Sequence, residues 1–419
     1  MSLYEPANGI LETHVTWEDV EEEMQKSLGT KAKFGENKKL TNISDLKGFM
    51  SKIALIEPDW VDDGDVSDLP KKFALKISSQ LAFAALSKVM KFDGEGGFSE
   101  EKLKKLGALT RDVHNREVAT YTLLVKFNHP NIPYCSVYGL KAFEDEDDLK
   151  GYLILDFIPD VHPMSMHDSI PADQLIPLIR GVATYSALCE TLTTEERKFA
   201  GGPEYLELFF EEVFNDAQME RHFEILRSSF GDENSKIVED SIKILRHYKK
   251  IVNKYTKISE ILGFKLVLNH GDLWQTNMLH TLDPNGDLKL RAIIDWQAVA
   301  TLPPGMDLSR LLLGCLSAQD RRDRGNELLK VYHETFTEVL GKELISFQEI
   351  QDSYNLYFPM MAMALLPLVI SFLDNSKNIS DDEKASAREK TVLKMVAMME
   401  DLIDVHDYNL TNYSNFLNL

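Results

Sequence analysis

The hydrophobic pattern of the chain changes at Pro159, and this change limits the folds that the chain can adopt. Before it, short stretches such as 72–78 place apolar side chains on every second residue, as a half-buried strand does. After it, apolar residues recur with the helical period over long stretches, interrupted by a strand-like segment from Phe264 to Ala300. The pattern predicts a small strand-rich region followed by a larger helical one, an α+β organisation.

The length of the chain predicts two domains. The 419 residues exceed what a single hydrophobic core usually organises. The change at Pro159 predicts a boundary between residues 1–158 and 159–419. The sequence contains no internal repeat and no low-complexity tract, so it does not indicate an array of smaller units.

Periodicity and turn residues give a coarse assignment of elements. Strands are expected at 49–57, 72–78, 136–143 and 152–158, and the last two flank an acidic turn typical of a hairpin. One helix is expected at 81–91. Further helices are expected at 110–127, 172–195, 203–230, 234–260, 318–340, 346–375 and 380–406. In the helix at 110–127 the apolar stripe is expected to comprise Val113, Val118, Tyr121, Leu124 and Val125, with Glu117 beside it.

Charge and composition exclude some classes of function. Lys and Arg number 46 and Asp and Glu 67, so the formal net charge is −21. Such an acidic chain is not expected to bind nucleic acid, which favours a basic face. A cationic ligand is compatible with this charge, and so is an ordinary solvated acidic surface.

Cysteines and apolar runs predict a cytoplasmic location without a membrane span. The three cysteines, Cys135, Cys189 and Cys315, are widely spaced and odd in number, which favours neither a disulfide framework nor a zinc site. The N-terminus shows no signal-peptide pattern. The longest apolar run, 358–372, is short for a bilayer and contains two prolines, so we expect a buried helix.

The strand-like segment carries the sharpest functional signal. His270-Gly271-Asp272 is followed by Asn277, five residues after the aspartate, and Asp295 ends a later apolar run. Phosphoryl transfer needs a carboxylate that accepts the proton of the attacking hydroxyl, and oxygen ligands that hold Mg²⁺ on the phosphates. We therefore expect Asp272 to be the base and Asn277 and Asp295 to be metal ligands. In a purely structural alternative, Asp272 caps a turn and Asn277 satisfies backbone groups.

These motifs resemble a known family. The stretches HGDLWQTNML and IIDWQ are similar to the signature shared by choline kinases and aminoglycoside phosphotransferases, and most similar to the ecdysteroid-kinase-like (CHK-kinase-like) family. The stretch 42–60 resembles a nematode branch of that family. The resemblance implies a protein-kinase-like two-lobed fold, with a small antiparallel β N-lobe and a large, mostly α-helical C-lobe. It also implies use of ATP and Mg²⁺, with the nucleotide bound by residues 1–158.

The same resemblance assigns the nucleotide-binding residues. Ala74-Leu75-Lys76 matches the strand that presents the phosphate-binding lysine, with Ala74 against the adenine. Glu117 is the acid expected to hold Lys76, although a surface glutamate is the plainer interpretation. A hinge at 156–160 would place backbone groups of Asp156, Phe157 and Ile158 at the adenine edge.

The expected phosphate loop departs from the family pattern. It has one glycine, Gly48, where related kinases are glycine-rich, so Gly48 and the Ser51 hydroxyl are the expected phosphate contacts. His270 and Asp307 are expected to give structural support. Asp307 is either the N-cap of the following helix or a brace for the catalytic loop. Trp274 and Trp296 either line the acceptor pocket or pack in the core.

The short distance between Asp295 and Asp307 favours a small acceptor. Asp307 lies twelve residues after Asp295, whereas protein kinases carry a long peptide-docking segment there. The expected acceptor is a hydroxyl of a small molecule, steroid-like, choline-like or another metabolite. The rival hypotheses are a pseudokinase that binds a nucleotide or ligand without transfer, and a protein kinase. The oligomeric state is not predicted.

Overall fold

The chain divides into two compact units. The computed structural model describes residues 2–44, 50–62, 64, 66–89, 97–204, 215–374 and 381–418. The sheet unit comprises Met1–Asn128, Tyr134–Val161 and Ile294–Ala298. The helical unit comprises His129–Pro133, His162–Ile293 and Val299–Leu419. The short segment 294–298 thus belongs to the sheet unit, although it follows much of the helical unit in sequence.

The sheet unit is built on a five-stranded antiparallel sheet. Its strands run in the order β2-β3-β5-β7-β6, and a separate two-stranded ribbon pairs β1 with β4. The strands are β1 (Lys33–Phe34), β2 (Lys39–Asn42), β3 (Ser51–Glu57), β4 (Trp60–Val61), β5 (Phe73–Ser78), β6 (Val137–Lys141) and β7 (Tyr152–Asp156). The helices are α1 (Trp17–Leu28), α2 (Leu81–Val89) and α3 (Glu100–Phe127). The expected hairpin of β6 and β7 is confirmed.

Alternation along β5 puts two kinds of side chain on opposite faces of the sheet. Phe73, Leu75 and Ile77 are fully buried in a core that includes Val20 and Met24 of α1. Lys76 lies between them in sequence, so its side chain emerges on the other face. The expected phase of this strand is confirmed.

Helix α1 was not predicted, although the sequence contains the capping residues that mark its first turn. Thr16 caps it by accepting a hydrogen bond from the Asp19 amide, and the Asp19 carboxylate accepts one from the Thr16 amide at 2.8 Å. This reciprocal pair is a capping box, which stabilises the first turn of a helix.

Helix α3 is longer than predicted and its buried stripe is shifted. It begins at Glu100 with Ser99 as its N-cap, ten residues before the expected start at residue 110. Glu117 is itself buried, whereas Val125 is exposed. The buried stripe of Val113, Glu117, Tyr121 and Leu124 follows the i, i+3 and i, i+4 spacings of one helix face, and Val118 lies one residue off it.

The helical unit contains nine helices within the part of the chain that the structure describes. They are α4 (Ala172–Cys189), α5 (Asp216–Ser229), α6 (Ser235–Lys250), α7 (Val252–Tyr255), α8 (Ile258–Leu262), α9 (Gly305–Cys315), α10 (Ala318–Leu340), α11 (Phe347–Asp374) and α12 (Asp381–Leu417). The expected single helix at 234–260 is broken into three, because Ile251 and Lys257 leave the helical conformation. Helix α12 extends beyond its expected end at residue 406, and α4 ends before residue 195.

Helix α11 forms the middle of the helical unit. It packs against α9 and α12, and its residues from Leu356 to Leu366 are buried in the largest core. The run at 358–372 therefore starts as a buried helix, as expected. Among the described residues, none of the helices has both the length and the apolar character that spanning a bilayer requires.

Two short antiparallel pairs complete the helical unit and frame the motif residues. Strand β8 (Val267–Asn269) pairs with β11 (Ala300–Leu302), and β9 (Met278–Leu282) pairs with β10 (Leu288–Ile293). Residues 270–277 are the connection between β8 and β9. The expected α+β organisation, with a small antiparallel sheet and a large helical part, is confirmed.

Candidate active site

In the sheet unit, Lys76 contacts two carboxylates from distant parts of the chain. Its Nζ donates to Glu117 Oε1 and Oε2 at 2.9 and 2.7 Å, and to Asp295 Oδ1 at 2.5 Å. The side chains of Lys76 and Glu117 are 14% and 2% exposed. The structure thus brings together three of the predicted site residues, from β5, α3 and the segment after β10.

These three charges perturb one another. Burial lowers the pKa of Lys76, but the negative charges of Asp295 and Glu117 outweigh it and raise that pKa above its ordinary value. Burial raises the pKa of Glu117, and the ammonium of Lys76 opposes the rise. With both carboxylates ionised, the group carries a net charge of −1, a sign that favours an additional cation.

Asp295 occupies an unusual backbone conformation. Its φ is +66°, in the left-handed region that Asp and Asn tolerate better than other residues with a Cβ. Its Oδ2 accepts from the Gln297 amide at 3.3 Å. The turn aims the carboxylate at Lys76 directly after a strand that itself faces the core.

In the helical unit, the loop after β8 is held by Asp307. Its two carboxylate oxygens accept from the amides of His270 and Gly271, at 2.6 and 2.8 Å. Burial raises the pKa of Asp307, opposed by these donors and by nearby His270 and Arg310. Helix α9 begins at Gly305 with Pro304 as N-cap, so Asp307 lies inside the first turn and the N-cap interpretation is wrong.

Two glycines make this arrangement possible. Gly271 has a φ of +84°, which turns the chain between His270 and Asp272. At the start of α9, a Cβ on Gly305 would lie 2.1 Å from the backbone carbon of Ser353. Any larger residue would push α9, and with it Asp307, away from α11.

Asp272 receives hydrogen bonds from three side chains. Trp274 Nε1 and Arg310 Nη1 both donate to Oδ1, and Asn277 Nδ2 donates to Oδ2 at 3.1 Å. Asn277 Nδ2 also donates to the Asp272 carbonyl at 2.9 Å. The predicted base and the predicted metal ligand Asn277 therefore share one short, ordered loop, as the motif spacing requires.

Comparison with known families decides where the chain belongs. The model of the family DUF1679, described as "Uncharacterized oxidoreductase dhs-27", matches residues 3–410, which is nearly the whole chain. The chain belongs to the DUF1679 family.

One curated relative carries a kinase-like name. The Caenorhabditis elegans protein "Uncharacterized kinase-like protein D1044.1" is 30% identical over 139 residues, which is 33% of this DUF1679 chain. The match spans about a third of that relative, 36% of its length. The finer resemblance to a nematode ecdysteroid-kinase-like branch stays a prediction.

Solved structures with a similar arrangement include small-molecule kinases. A Plasmodium vivax ethanolamine kinase shares 11% identity over 89% of this chain and 83% of its own, with a TM-score of 0.40. A microcompartment-associated aminopropanol kinase shares 12% over 91% and 96%, with a TM-score of 0.45. The GDP complex of aminoglycoside 2'-phosphotransferase-IIIa shares 13% over 90% and 98%, with a TM-score of 0.40.

Sequence reasoning on this DUF1679 chain missed Arg310. Its side chain is 7% exposed and pairs with Asp272. Its guanidinium lies 4.6 Å from the centre of the Trp274 ring. The signal was available, because Asp307 and Arg310 are three residues apart and so share one face of α9.

Gln275 is a second residue that was missed. It is buried, and its amide donates to the carbonyls of Asp168 and Gly314 at 2.9 and 2.5 Å. Lys394 Nζ donates to the same two carbonyls at 3.0 and 2.5 Å. The turn that follows Asp272 is thus tied to α9 and α12, which a single sequence does not reveal.

The remaining predicted nucleotide residues fall in the sheet unit. Ala74 is partly exposed on the same face of β5 as Lys76. Ser51 is 6% exposed at the start of β3, and Gly48 lies outside the described residues. The Asp156 amide, one of the expected hinge donors, donates to the Ser136 carbonyl at 2.8 Å. This hydrogen bond lies within the sheet unit, so the amide is not available to the adenine edge.

The two tryptophans that follow motif aspartates differ. Trp296 is fully buried, so its side chain belongs to the core. Trp274 is partly buried and holds Asp272. Trp296 thus takes the core alternative, and an acceptor-pocket role for Trp274 stays a prediction.

Proposed function

We propose that this chain is an ATP- and Mg²⁺-dependent phosphotransferase that moves the γ-phosphoryl group to a hydroxyl of a small molecule. The observation that carries the proposal is the contact of Lys76 with both Glu117 and Asp295. These partners lie 41 and 219 residues away; Asp295 was predicted from its motif, and Glu117 from its place on the predicted helix at 110–127. A buried lysine braced by two acids suits the binding of phosphate oxygens.

Lys76 and Glu117 have distinct parts in this proposal. Glu117 holds Lys76 through both oxygens, which fixes the ammonium on the face of β5 that it shares with Ala74. The raised pKa of Lys76 keeps it charged, so it can neutralise phosphate oxygens of ATP.

Asp272 is the proposed base. It accepts the proton of the acceptor hydroxyl while the hydroxyl oxygen forms a bond to the γ-phosphorus. The bond from that phosphorus to the bridging oxygen of ADP breaks, and ADP leaves with its electron pair. The products are a phosphate ester, ADP and the proton held by Asp272.

The residues present fit a magnesium ion whose other ligands come from the nucleotide. Among the described residues, no group of three or more His, Cys, Asp or Glu side chains is arranged to hold a metal alone. Mg²⁺ usually takes one or two protein oxygens plus phosphates and water. Asp295 and Asn277 Oδ1 are the proposed ligands. The ion would neutralise charge on the transferred group.

The segment after Asp295 supports a small acceptor rather than a protein. Residues 296–298 form one turn of 3₁₀ helix, 300–302 form β11, and α9 starts at Gly305. Ordered elements fill this stretch, which leaves no long loop for docking a peptide. The acceptor class, steroid-like, choline-like or another alcohol, is left to the experiment.

The test is transfer of labelled phosphate. The protein is incubated with Mg²⁺, γ-¹⁸O-labelled ATP and a fractionated metabolite extract, and new labelled phosphate esters are sought by mass spectrometry. We expect labelled small-molecule esters with wild type and with Asp232→Ala, whose aspartate is exposed in the helical unit. Asp272→Ala should lower their rate by about 10²–10⁴.

The rival hypotheses have different outcomes. Binding of Mg-ATP without any labelled ester would favour the pseudokinase and reject transfer. Label in protein bands that disappears with Asp272→Ala would favour a protein kinase and reject the small acceptor.

A further inference from the structure

Arg310 is a buried cation directly against the proposed base. Its side chain is 7% exposed, and its Nη1 donates to Asp272 Oδ1. It rises from α9 one turn after Asp307. A guanidinium in such a place needs a carboxylate partner, because an unpaired buried charge is costly.

The other carboxylate near Arg310 is already used. Both oxygens of Asp307 accept backbone amides of the loop, from His270 and Gly271. Asp307 therefore fixes the backbone of the loop, whereas Arg310 reaches the side chain of Asp272. Two residues on one face of α9 therefore hold the loop, one through its backbone and the other through the Asp272 side chain.

Trp274 closes a triangle of contacts with these two residues. Its Nε1 donates to the same Oδ1 of Asp272, and Arg310 lies over its ring at 4.6 Å from the centre. Stacking of a guanidinium on an indole is favourable and fixes the plane of both groups. Each residue of the triangle therefore limits the motion of the other two.

We infer that Arg310 is a positioning residue for the transfer reaction. Together with Trp274 it occupies the hydrogen-bonding positions of Asp272 Oδ1 and so fixes the orientation of the carboxylate. In this orientation Oδ2 takes the proton of the acceptor hydroxyl. A carboxylate oxygen has two lone pairs in its plane, and the two donors occupy both on Oδ1. Asn277 contacts Oδ2 at 3.1 Å from the side of its own loop. The inference rests on the proposed function and adds a determinant of orientation to it.

The first test reads the triangle without any activity. The chain has four tryptophans, so ¹⁵N-tryptophan labelling gives four indole N–H signals, and Trp274→Phe identifies that of Trp274. Donation to a carboxylate should place this signal downfield, because the bond is charge-assisted. Arg310→Gln should move it and leave the other three in place, which also shows that the variant is folded. An unmoved Trp274 signal would overturn the inference.

The second test separates positioning from binding. Arg310→Gln should lower kcat of the labelled transfer on the order of 10- to 100-fold, since a shift of a reacting group by about 1 Å costs that much. KM for ATP should stay within about twofold, because the ground state is unaffected. Arg310→Lys, which keeps the charge but not the stack, should recover part of kcat. Equal losses in kcat and in 1/KM, or no loss, would contradict the role.

A matched control is a second buried arginine of the helical unit. Arg321 pairs with Asp401, and its side chain is 3% exposed. Arg321→Gln should lower thermal stability as Arg310→Gln does, but leave kcat unchanged. No labelled ester from wild type would reject the proposed function and this role together. A kcat that is unaffected by Arg310→Gln in an active enzyme would reject this role alone.

Discussion

The two groups of candidate site residues have opposite charge arrangements. In the sheet unit one cation, Lys76, is shared by the carboxylates of Glu117 and Asp295. In the helical unit one carboxylate, Asp272, is shared by donors from Arg310, Trp274 and Asn277. The first group has a carboxylate in excess, and the second has donors in excess.

This difference teaches what each group is suited to do. Glu117 holds Lys76 through both oxygens, so under the proposed function Asp295 releases Lys76 and contacts the metal ion instead. Asp272 by contrast is fixed at one oxygen by two donors, which suits a base that must present a single orientation. Phosphoryl transfer depends on charge stabilisation and on positioning, and the proposed function assigns the first to the Lys76 group and the second to Asp272.

The comparison breaks most readily at Lys76. Replacing it in Lys76→Met removes the one cation of the sheet group while keeping a side chain of similar length. We expect kcat/KM for ATP in the transfer assay to fall by about 10²–10³, as when one preorganised donor is removed. Lys39→Met, on the edge strand β2 where Lys39 is exposed, is the control and should keep wild-type kinetics. Unchanged kinetics in Lys76→Met would mean that the wrong lysine is assigned.

A smaller expected effect concerns the stability of the sheet unit at different pH values. His114 of α3 is 3% exposed, and its Nε2 donates to the Lys141 carbonyl at 2.8 Å. Burial lowers the pKa of His114 from 6.5 to about 4, and nearby Lys76 adds to the shift, while Lys141 carbonyl and Asp148 oppose it. As the pH falls below 6.5 the unfolded chain binds a proton that the folded chain refuses, so stability is lost.

The expected loss is about 2 kcal/mol of unfolding free energy between pH 7 and pH 5. Urea unfolding at both pH values measures it, and His114→Phe should remove that part of the pH dependence. His14→Phe replaces a partly exposed histidine of the same unit and is the control. The same slope with pH in His114→Phe as in wild type would show that His114 titrates normally.

The sequence predicted the site best where local geometry determines it. The alternation of β5 placed Lys76 away from the core, and the motif spacing put Asn277 near Asp272. The predicted apolar stripe of this helix included Val118 and placed Glu117 beside the stripe. In the structure Glu117 lies within the buried stripe, and it is the partner of Lys76 as predicted. Helix α1 could have been found from its capping residues.

Other parts of the site depend on tertiary contacts that a pattern does not contain. The commitment of the Asp156 amide to Ser136 follows a bulge between β6 and β7, which shifts the register at Val137. The bond of Gln275 to the Asp168 carbonyl joins segments 107 residues apart. The spacing of Asp307 and Arg310 predicts that the two residues share a helix face. It does not predict that Arg310 pairs with Asp272, since Asp307 is the nearer acid in sequence.

The most direct test of separate roles is binding of Mg²⁺ and a non-hydrolysable ATP analogue to Asp272→Asn and Asp295→Asn. Asn tolerates the left-handed backbone of residue 295, so that substitution removes only the charge. Titration calorimetry should give Asp272→Asn a Kd within about twofold of wild type. For Asp295→Asn the magnesium-dependent affinity should fall on the order of tenfold or more, about 1.4 kcal/mol. Loss of binding in Asp272→Asn, or wild-type binding in Asp295→Asn, would contradict the division of roles between the two groups.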